Sequence, residues 1–506
     1  MKKIHSALLS VYNKEGLAEL AQALINKGVV IYSTGGTLTH LKEIGIPAVP
    51  VEELTQFPEI LGGRVKTLHP VIFGGILFQR DLPTDTETVT QHNIPPIDLV
   101  VVDLYPFEET VKQTQDAKEI IEKIDIGGIS LIRAAAKNHN DVAVLSSKSQ
   151  YSSFLENFGN QEGALNADQR KQLAAAAFSV SSGYDSAIQN YLHTGEISSL
   201  SIHNANKHTL RYGENPHQQG FFFGDLAGFF DKLSGKELSY NNLLDVDSAV
   251  HLMSDFNKSK CTFAILKHNN ACGIAIADSV AKAYSLALAA DPVSAFGGVL
   301  IANASIDLDT ATLLNDLFFE ILIAPEFDSE AIELLTQKKN RILLKQLTFS
   351  FPNKKVRSAL NGFLLQDSDE KCVGVNDITV RTNSAPSPVE LEDLIFANKV
   401  VKHTKSNGIA LVKNNQLLAC GTGQTSRVDA LQQAIHKAKS FGFNLAGAVM
   451  ASDAFFPFPD CAEIAHQAGI TAIIQPGGSI KDQLSIDYCN THDLKMVFSG
   501  FRHFKH

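Results

Sequence analysis

Residues near the N-terminus combine glycines with hydroxyl groups in a pattern suited to holding an anion. The segment 33–37, read STGGT, follows an apolar run that predicts a strand and precedes a stretch that predicts a helix. Glycines let the main chain approach a ligand closely, and the free amides and dipole of a helix N-terminus attract an oxyanion. The pattern slightly favours phosphate binding over its alternative, an ordinary strand-to-helix turn capped by a serine or threonine.

A basic cluster follows in the segment GGRVKTLHP, where Arg64, Lys66 and Thr67 fall within four positions. In an extended segment Arg64 and Lys66 point to the same side, where their charges repel each other unless an anion lies between them. This spacing favours a ligand, although a solvated basic loop is the commoner surrounding for such a pair.

Three further residues of the first 150 are candidates for proton transfer. Tyr105 closes an apolar predicted strand, where it either caps the core or presents its hydroxyl group to a ligand. Asp125 precedes a Gly-Gly helix start and Lys137 lies at the far end of the same helix, so the two cannot meet on one helix face. They share a site only if helix packing or another chain brings them together, and roles in capping and in the helix dipole are the alternatives.

The second half contains two polar clusters of its own. The segment LRYGENPHQQG places Arg211, Asn215 and His217 in a turn-rich stretch that has little use as a core element, and therefore predicts a binding loop. Lys267 and His268 end the apolar strand TFAIL, and such a pair suits proton transfer because histidine titrates near neutral pH. By residue type alone, an ordinary Lys-His pair at a strand end is favoured instead.

The elements that must position these residues alternate regularly in the first 150 positions. Apolar runs such as VVIYST and IDLVVVDLYPF read as buried strands, and amphipathic stretches between them read as helices. Such alternation predicts a parallel, doubly wound α/β sheet with ligands beyond the carboxyl ends of its strands. Helical sequence continues from about 150 to 191, and the Gly, Ser and Asn content of 193–208 predicts a linker with a domain boundary near 200.

The second half also repeats itself. TFAILKHNNACGIAIA, a helix and SAFGGVLIA have the same order as ANKVVKHTKSNGIALV, a helix and LAGAVMASDAF. The repeat predicts two similar α/β lobes in which Lys402-His403 corresponds to Lys267-His268, each pair ending or interrupting a strand.

Composition excludes several classes of protein. The chain has 506 residues, of which 44% are hydrophobic and 19% charged, as is typical of a globular protein with two or three domains. A formal net charge of -10 argues against general nucleic-acid binding, and the lack of a long apolar run or a signal peptide predicts a cytoplasmic protein. The six cysteines are scattered without a C-x-x-C pair, which predicts free thiols and neither disulfides nor a zinc site.

Taken together and in order, the motifs resemble those of one family. STGGT, GGRVKTLHP, DLYPF and DIGGISLIRAAAKN, then LRYGENPHQ, KHNNACG, DPVSAFGG, GQTSR, SDAFFPFPD and RHFKH, are similar to motifs of the bifunctional aminoimidazole carboxamide ribonucleotide (AICAR) transformylase and inosine monophosphate (IMP) cyclohydrolase enzymes. The resemblance covers essentially the whole chain. It implies a methylglyoxal-synthase-like domain over residues 1–199 and a pair of cytidine-deaminase-like α/β lobes over residues 200–506.

The resemblance also implies a reaction, partners and site residues. The implied reactions are formyl transfer from 10-formyltetrahydrofolate to AICAR and dehydrative closure of the product to IMP. The implied protein is a cytoplasmic homodimer with small-molecule nucleotide and folate substrates, with a structural potassium ion, and without nucleic acid, a membrane or a catalytic metal. Catalysis is assigned to Lys66, Tyr105, Asp125 and Lys137 for ring closure and to Lys267 and His268 for formyl transfer. Substrate binding is assigned to Lys14, Ser33, Thr34, Gly35, Gly36, Thr37, Arg64 and Thr67, and to Arg211, Tyr212, His217, Phe296, Gly297, Asn407, Arg427, Phe455 and Asp460.

Two other functions fit parts of the sequence. Deaminase-like lobes often hold zinc, but that chemistry needs an H-x-E motif and a P-C-x-x-C pair, and the chain has neither. The other alternative is a first domain that senses nucleotides without catalysis. The joint occurrence of Lys66, Tyr105, Asp125 and Lys137 argues against it.

Overall fold

The computed structural model describes residues 1–193, 200, 202, 207–256, 259–348 and 350–506. They divide into two units, Met1–Ala205 and Asn206–His506, called unit 1 and unit 2 below. Most of the linker predicted at 193–208 lies outside the described residues. None of the helices in the described ranges is both long and apolar enough to cross a lipid bilayer.

Unit 1 alternates strands and helices. Its strands are β1 (Lys2–Lys3), β2 (Ser6–Ser10), β3 (Val30–Ser33), β4 (Val49–Pro50), β5 (Leu99–Val102), β6 (Ala143–Leu145) and β7 (Ala164–Leu165). Its helices are α1 (Leu17–Asn26), α2 (Gly35–Glu43), α3 (Val51–Thr55), α4 (Pro70–Leu77), α5 (Pro83–Gln91), α6 (Phe107–Gln113), α7 (Ala117–Glu122), α8 (Gly127–Lys137), α9 (Tyr151–Asn160) and α10 (Ala167–Leu192).

The main sheet of unit 1 is parallel and covered on both faces. Within the described residues, five strands follow the order β4-β3-β2-β5-β6, and each neighbouring pair is parallel. On β2, Leu8 packs in one apolar cluster while Ala7 and Leu9 pack in the other, because successive side chains point to opposite faces. The predicted doubly wound parallel sheet is therefore confirmed. Since the strands run the same way, the segments that follow β2, β3 and β5 meet at one edge.

Unit 2 has its own set of elements. Its strands are β8 (Lys207–Thr209), β9 (Phe221–Phe223), β10 (Phe230–Ser234), β11 (Cys261–Lys267), β12 (Asn270–Ala277), β13 (Val299–Ala302), β14 (Ile321–Ala324), β15 (Ile342–Gln346), β16 (Lys354–Ala359), β17 (Gly362–Asp367), β18 (Thr379–Val380), β19 (Ile409–Lys413), β20 (Gln416–Gly421), β21 (Val449–Ser452), β22 (Ala472–Gln475) and β23 (Lys495–Phe498). Its helices are α11 (Tyr240–Ser254), α12 (Val280–Ala290), α13 (Leu308–Asn315), α14 (Ser329–Thr336), α15 (Pro388–Lys402), α16 (Arg427–Ser440), α17 (Asp460–Gln467) and α18 (Asp482–Thr491).

The main sheet of unit 2 consists of two repeats around a central pair. In the part of the chain that the structure describes, twelve strands follow the order β10-β15-β14-β13-β11-β12-β20-β19-β21-β22-β23-β18. β12 and β20 pair antiparallel at the centre. Outward from the centre, each half has two antiparallel pairings, two parallel pairings and one antiparallel edge pairing. The predicted repeat is present, and each half is called a lobe below.

The helices of the two lobes also correspond. α11 and α15 pack on one face of the sheet in a single apolar cluster that includes Val250 and Val400. On the opposite face each lobe has its own cluster, built on α12 to α14 in the first lobe and on α16 to α18 in the second. The lobes thus share one apolar core on one face of the sheet, and each lobe has a separate core on the opposite face.

The two lobes correspond in the structure at residues other than those that the sequence predicted to correspond. Lys402 is the last residue of α15 and His403 follows it, so this pair ends a helix and the prediction that it ends or interrupts a strand was wrong. The helical signal lies upstream, where Ser387 and Glu390 form a capping box ahead of apolar residues at helical spacing. The residue that ends the strand corresponding to β11 is Lys413, on β19.

The Lys402-His403 pair joins two helix ends. Nζ of Lys402 lies 3.0 Å from Oδ2 of Asp255, and Nε2 of His403 lies 2.8 Å from the same oxygen. Asp255 directly follows α11, so the three side chains link the C-terminal ends of α11 and α15. Burial alone would raise the pKa of Asp255, but the hydrogen bond and charge of His403 and the charge of Lys402 outweigh it and hold that pKa below its usual range.

Replacing Asp255 by Asn should destabilise unit 2 strongly, because the Lys402 side chain is only 5% exposed and its ammonium group would lose its counter-charge. Breaking a buried ion pair costs about 3–5 kcal/mol of unfolding free energy, which urea unfolding at pH 7 would measure. The difference from the unsubstituted chain should shrink as the pH falls from about 4 towards the depressed pKa, because the unfolded chain then takes up a proton at Asp255 that the folded chain does not. Asp278→Asn, which breaks the exposed pair with Lys260, is the matched control and should cause no measurable loss. Equal losses in the two variants would contradict the assignment.

Candidate active sites

A cavity of about 780 Å³ lies at the carboxyl edge of the unit 1 sheet. Its walls come from the segments that follow β2, β3 and β5, from the turn at 59–67 and from residues 121–128. Parallel strands bring these segments together because their carboxyl ends share one edge. Nine of the predicted site residues line the cavity: Lys14, Thr34, Gly36, Thr37, Arg64, Lys66, Thr67, Tyr105 and Asp125.

The start of α2 has several groups that suit an anion. Thr34 precedes the helix, and its buried hydroxyl oxygen has no hydrogen-bond partner among the described residues. Gly35 has a φ of +52°, and a Cβ at this position would lie 3.1 Å from Nζ of Lys66. Burial lowers the pKa of Lys14, and the charge of Lys66 lowers it further while Asp103 opposes both. Two ammonium groups and the free amides of the helix therefore make this end of the cavity electropositive.

Two of the predicted binding residues are already engaged by the protein. Oγ of Ser33 donates to the main-chain oxygen of Leu9 at 2.8 Å, and the residue is fully buried. Oγ1 of Thr37 donates to the main-chain oxygen of Val11 at 2.9 Å and accepts from Nζ of Lys14 at 3.3 Å. Ser33 thus fixes β3 against β2, and Thr37 holds Lys14 beside α2.

The basic segment at 60–67 is a tight turn. Residues 61–63 form one turn of 3-10 helix in which Gly62 has a φ of 65°, a conformation that glycine adopts readily. Arg64 is directed towards Glu122, and its Nε lies 3.2 Å from Oε1 of that residue. The predicted extended geometry was therefore wrong, and so was the repulsion between Arg64 and Lys66 that followed from it. A protein carboxylate compensates the charge of Arg64.

Asp125 and Tyr105 meet in the cavity. Burial raises the pKa of Asp125, although the main-chain amides of Gly128 and Tyr105 and the charge of Lys66 oppose the shift. The amide of Gly128 donates to Oδ1 of Asp125 at 2.6 Å, so this carboxylate caps the start of α8 while it lines the cavity. Burial also raises the pKa of Tyr105, and the charge of Asp125 adds to the shift. The hydroxyl group of Tyr105 consequently stays protonated at neutral pH and can donate a hydrogen bond.

Two residues that the sequence analysis missed complete this site. Asp103 accepts from main-chain amides after β2, that of Asn13 at 2.9 Å, and burial raises its pKa. Oη of Tyr184 accepts from the amide of Asp125 at 2.9 Å and donates to the main-chain oxygen of Lys123 at 2.6 Å. Asp103 directly follows β5, so the strand-end rule that selected Tyr105 also applies to it. Tyr184 lies on α10, far along the chain, and left no local signal.

Lys137 does not reach this cavity within the chain. It is the last residue of α8 and is exposed, whereas Gly127 and Gly128 in the first turn line the cavity. An α-helix of this length places its ends about 15 Å apart. The chain therefore brings Asp125 to the site and leaves Lys137 outside it.

The second predicted site lies where β11 turns into β12. Nζ of Lys267 donates to the main-chain oxygen of Phe296 at 2.8 Å. His268 is exposed, and its ring has no hydrogen-bond partner in the described ranges. The amide of Asn269 donates to Oδ1 of Asp245, on α11, at 2.6 Å. The Lys-His pair thus lies on a firmly held turn, with the imidazole ring available to a substrate.

Residues 405–407, which include the predicted residue Asn407, lie against this turn. The amide of Lys405 donates to Oδ1 of Asn270 at 3.1 Å, which connects the two lobes at this point. Asn407 belongs to this segment. The structure therefore brings Asn407 into the same region as Lys267 and His268.

Arg427 is held beside that segment by a buried carboxylate. Asp453 is fully buried and accepts from Nη2 of Arg427 at 3.1 Å and from Oγ of Ser406 at 2.5 Å. Nε of Arg427 is buried and has no partner in the part of the chain that the structure describes. Phe455 follows in the loop after β21, and Asp460 begins α17.

The remaining predicted residues lie on exposed loops of unit 2. Arg211 pairs with its neighbour Tyr212, with the guanidinium carbon 4.8 Å from the ring centre and Nη2 3.0 Å from Oη. His217 is exposed on the same loop. Phe296 is 59% exposed and precedes Gly297, whose φ is 73°. Phe296 and Gly297 belong to the Lys267 site, whereas no hydrogen bond or ion pair between described residues joins the Arg211 loop to Lys267 directly.

Comparisons with known proteins show which family the chain belongs to. The family profile "AICARFT/IMPCHase bienzyme" matches residues 135–437, and the profile "MGS-like domain" matches residues 16–130. A relative from Bacteroides thetaiotaomicron, named "Bifunctional purine biosynthesis protein PurH", is 57% identical, and the alignment covers 100% of this chain and 99% of the relative. A relative of the same name from Aquifex aeolicus is 48% identical over 99% of this chain and 100% of its own. The chain belongs to the AICARFT/IMPCHase bienzyme family.

Membership of the AICARFT/IMPCHase bienzyme family confirms the resemblance that the motifs indicated, and the chain is accordingly a bifunctional AICAR transformylase and IMP cyclohydrolase. The match to the MGS-like domain confirms the fold predicted for the first domain. The likeness of the two lobes to cytidine deaminases stays a prediction.

Thr34→Val and Ser33→Ala should change stability in opposite directions. The Thr34 hydroxyl is buried without a partner among the described residues and makes no capping hydrogen bond, so an isosteric valine should raise the unfolding free energy by about 1 kcal/mol. The Ser33 hydroxyl donates to Leu9, and its removal should cost about 1 kcal/mol. Urea unfolding of both variants measures the contrast. A comparable loss in Thr34→Val would show that its hydroxyl serves the fold.

Proposed function

We propose that the two activities are divided between the units, with formyl transfer in unit 2 and ring closure in unit 1. Unit 2 moves the formyl group of 10-formyltetrahydrofolate to the amine of AICAR, and unit 1 closes formyl-AICAR to IMP with loss of water. The observation that carries the division is the separation of the predicted groups. Lys66, Tyr105 and Asp125 line one cavity of unit 1, whereas Lys267 and His268 share one turn of unit 2.

The nucleotide phosphate binds at the start of α2. The free amides of this helix, the unpartnered hydroxyl of Thr34 and the ammonium group of Lys14 support this assignment. Gly35 and Gly36 keep the approach open, since a side chain at 35 would meet the ammonium group of Lys66. Arg64 reaches the ligand by exchanging its contact with Glu122, an exposed ion pair of small energetic value.

Ring closure requires positioning and proton transfer because the nucleophile and the electrophile belong to one molecule. The carboxamide nitrogen attacks the formyl carbon and a C–N bond forms. The C–O bond of the former formyl group then breaks, and its oxygen leaves as water with one proton from the carboxamide nitrogen and one from the formamide nitrogen. Lys66 and the protonated hydroxyl of Tyr105 stabilise the developing oxyanion. Asp125, whose pKa burial raises, accepts the proton from the carboxamide nitrogen.

Formyl transfer faces a different obstacle, because the AICAR amine is conjugated with its imidazole ring and is a poor nucleophile. His268 removes the amine proton as the nitrogen attacks the formyl carbon, while Lys267 stabilises the oxyanion and protonates the departing folate nitrogen. The ammonium group of Lys267 donates one hydrogen bond to Phe296, which leaves two N–H groups for the reaction. Arg427 and Asn407 bind the nucleotide in this unit, together with Arg211, Tyr212, His217 and Gly297, and Phe296, Phe455 and Asp460 line the pocket.

The proposal includes a cytoplasmic homodimer with a structural potassium ion, to which no step of either reaction is assigned. The position of Lys137 supports the dimer. Within one chain this residue lies at the wrong end of α8 for the cavity that holds Asp125, so a role in ring closure needs Lys137 from a second copy.

Mixing two inactive variants tests this arrangement. Lys66→Ala and Lys137→Ala should each lose ring closure, and mixed dimers should regain it in one of their two cavities, which would combine an intact Lys66 with an intact Lys137 from the other chain. Activity on supplied formyl-AICAR after co-refolding is the measurement. If the mixture remains as inactive as its components, Lys137 does not act across chains.

Lys267→Ala should abolish formyl transfer, with a loss of at least about a hundredfold, and leave ring closure unchanged. The assay follows IMP absorbance with AICAR and 10-formyltetrahydrofolate for the overall reaction and with formyl-AICAR for ring closure. Lys413→Ala is the matched control, since Lys413 ends the corresponding strand of the second lobe and its Nζ donates to the main-chain oxygen of Ala446. Loss of both activities in Lys267→Ala, or an equal loss of formyl transfer in Lys413→Ala, would refute the division of labour.

A further inference from the structure

The turn that carries the Lys-His pair has two consecutive residues with positive φ. His268 and Asn269 have φ values of 52° and 64°, in the left-handed region that residues with a side chain rarely adopt. Two consecutive residues of this kind are typical of a two-residue hairpin loop, which here connects the paired residues Lys267 and Asn270. The hydrogen bond from the Asn269 amide to Oδ1 of Asp245, at 2.6 Å, fixes this loop from outside the hairpin.

The second lobe contains the same turn with the same carboxylate. Asn414 and Asn415 have φ values of 53° and 56°, and their amides donate to Asp393 at 2.8 and 2.6 Å. Asp245 and Asp393 occupy equivalent places, since each is the sixth residue of its helix, α11 or α15. The carboxylate is therefore part of how this fold builds the turn.

The surroundings of the two turns also correspond. Lys267 donates to the main-chain oxygen of Phe296 at 2.8 Å, and Lys413 donates to that of Ala446 at 2.6 Å. The next residues, Gly297 and Gly447, have φ values of 73° and 78°. The hydrogen bonds and backbone conformations around the two turns therefore match. The side chains differ, since the first lobe has His268 in the place of Asn414 and Phe296 in the place of Ala446.

We propose that Asp245 is a positioning residue for formyl transfer, which fixes the Lys267-His268 turn through the amide of Asn269. The inference rests on the proposed function of this turn. Asp245 does not touch the reacting atoms. It sets the backbone from which the ammonium group and the imidazole ring project, and a displacement of about 1 Å at such groups lowers a rate by about a hundredfold.

The electrostatics of the turn agree with this role. Burial raises the pKa of Asp245, and the Asn269 amide and the charges of His268 and Lys267 oppose the shift while Glu320 adds to it. The carboxylate is thus near the side chains of Lys267 and His268, and the hydrogen bond to the main chain is its direct contact with the turn.

Two substitutions at Asp245 separate positioning from a general loss of structure. Asp245→Ala removes the acceptor and should lower kcat for formyl transfer about a hundredfold, with KM for both substrates changed by less than about threefold. Asp245→Asn keeps an oxygen acceptor for the Asn269 amide and should restore kcat to within about tenfold of the unsubstituted enzyme. Ring closure, assayed on formyl-AICAR with the same preparations, should remain unchanged in both.

The equivalent substitutions Asp393→Ala and Asp393→Asn are the controls, because they disturb the same turn in the second lobe, where Asn414 and not a histidine follows the strand-end lysine. They should lower the thermal unfolding temperature at least as much as the Asp245 variants and leave formyl transfer within about twofold of normal. Equal loss of formyl transfer at the two positions, a rise in KM alone, or an Asp245→Asn variant as slow as Asp245→Ala would each overturn the inference. Absence of formyl transfer in the unsubstituted chain would instead overturn the proposed function, and the inference with it.

Discussion

A carboxylate removed from water must find hydrogen-bond donors or counter-charges within the protein, and this requirement shapes both candidate sites. In unit 1, Asp103 and Asp125 accept main-chain amides at the edge of the parallel sheet. In unit 2, Asp245 and Asp393 accept main-chain amides at two equivalent turns. Burial raises the pKa of all four carboxyl groups. Where the ammonium group of Lys402 and a hydrogen bond from His403 hold the carboxylate, at Asp255, the pKa falls instead. Main-chain amides alone thus leave the pKa of a buried carboxyl group above its usual range, whereas an ion pair lowers it below that range.

The sequence predicted unit 1 well because its signals are local. Strands buried on both faces read as continuous apolar runs, and amphipathic helices separate them, so the parallel sheet follows from the pattern. The edge of that sheet then selects the site, since residues after successive strands must meet there. Thr34 and Tyr105 were found in this way, and both line the cavity. Asp103 directly follows β5 and satisfies the same rule, although the sequence analysis did not include it.

The errors occurred where structure depends on long-range contacts or on register. The segment at 60–67 reads as an extended basic stretch, but Gly62 reverses the chain and Arg64 finds Glu122, a partner 58 positions away. Tyr184, which holds the amide of Asp125 from α10, has no feature in the sequence that distinguishes it from a core tyrosine. The predicted correspondence of Lys402-His403 with Lys267-His268 rested on the identity of the two residues alone. The capping box at Ser387 indicates a helix that continues to Lys402.

The internal repeat separates what the fold needs from what the reaction needs. Both lobes have a carboxylate at the turn, a strand-end lysine and a left-handed glycine, so these features by themselves do not distinguish the proposed catalytic turn from its counterpart. His268 and Phe296 are different, because the second lobe builds the same frame with Asn414 and Ala446. Phe296 is 59% exposed, and its ring centre lies 5.0 Å from that of Phe318. Packing within the chain therefore does not explain an aromatic residue at this position. The imidazole ring likewise has no partner in the described part of the chain. His268 and Phe296 are exposed and are not needed to form the turn. They are therefore the side chains that a substrate would contact.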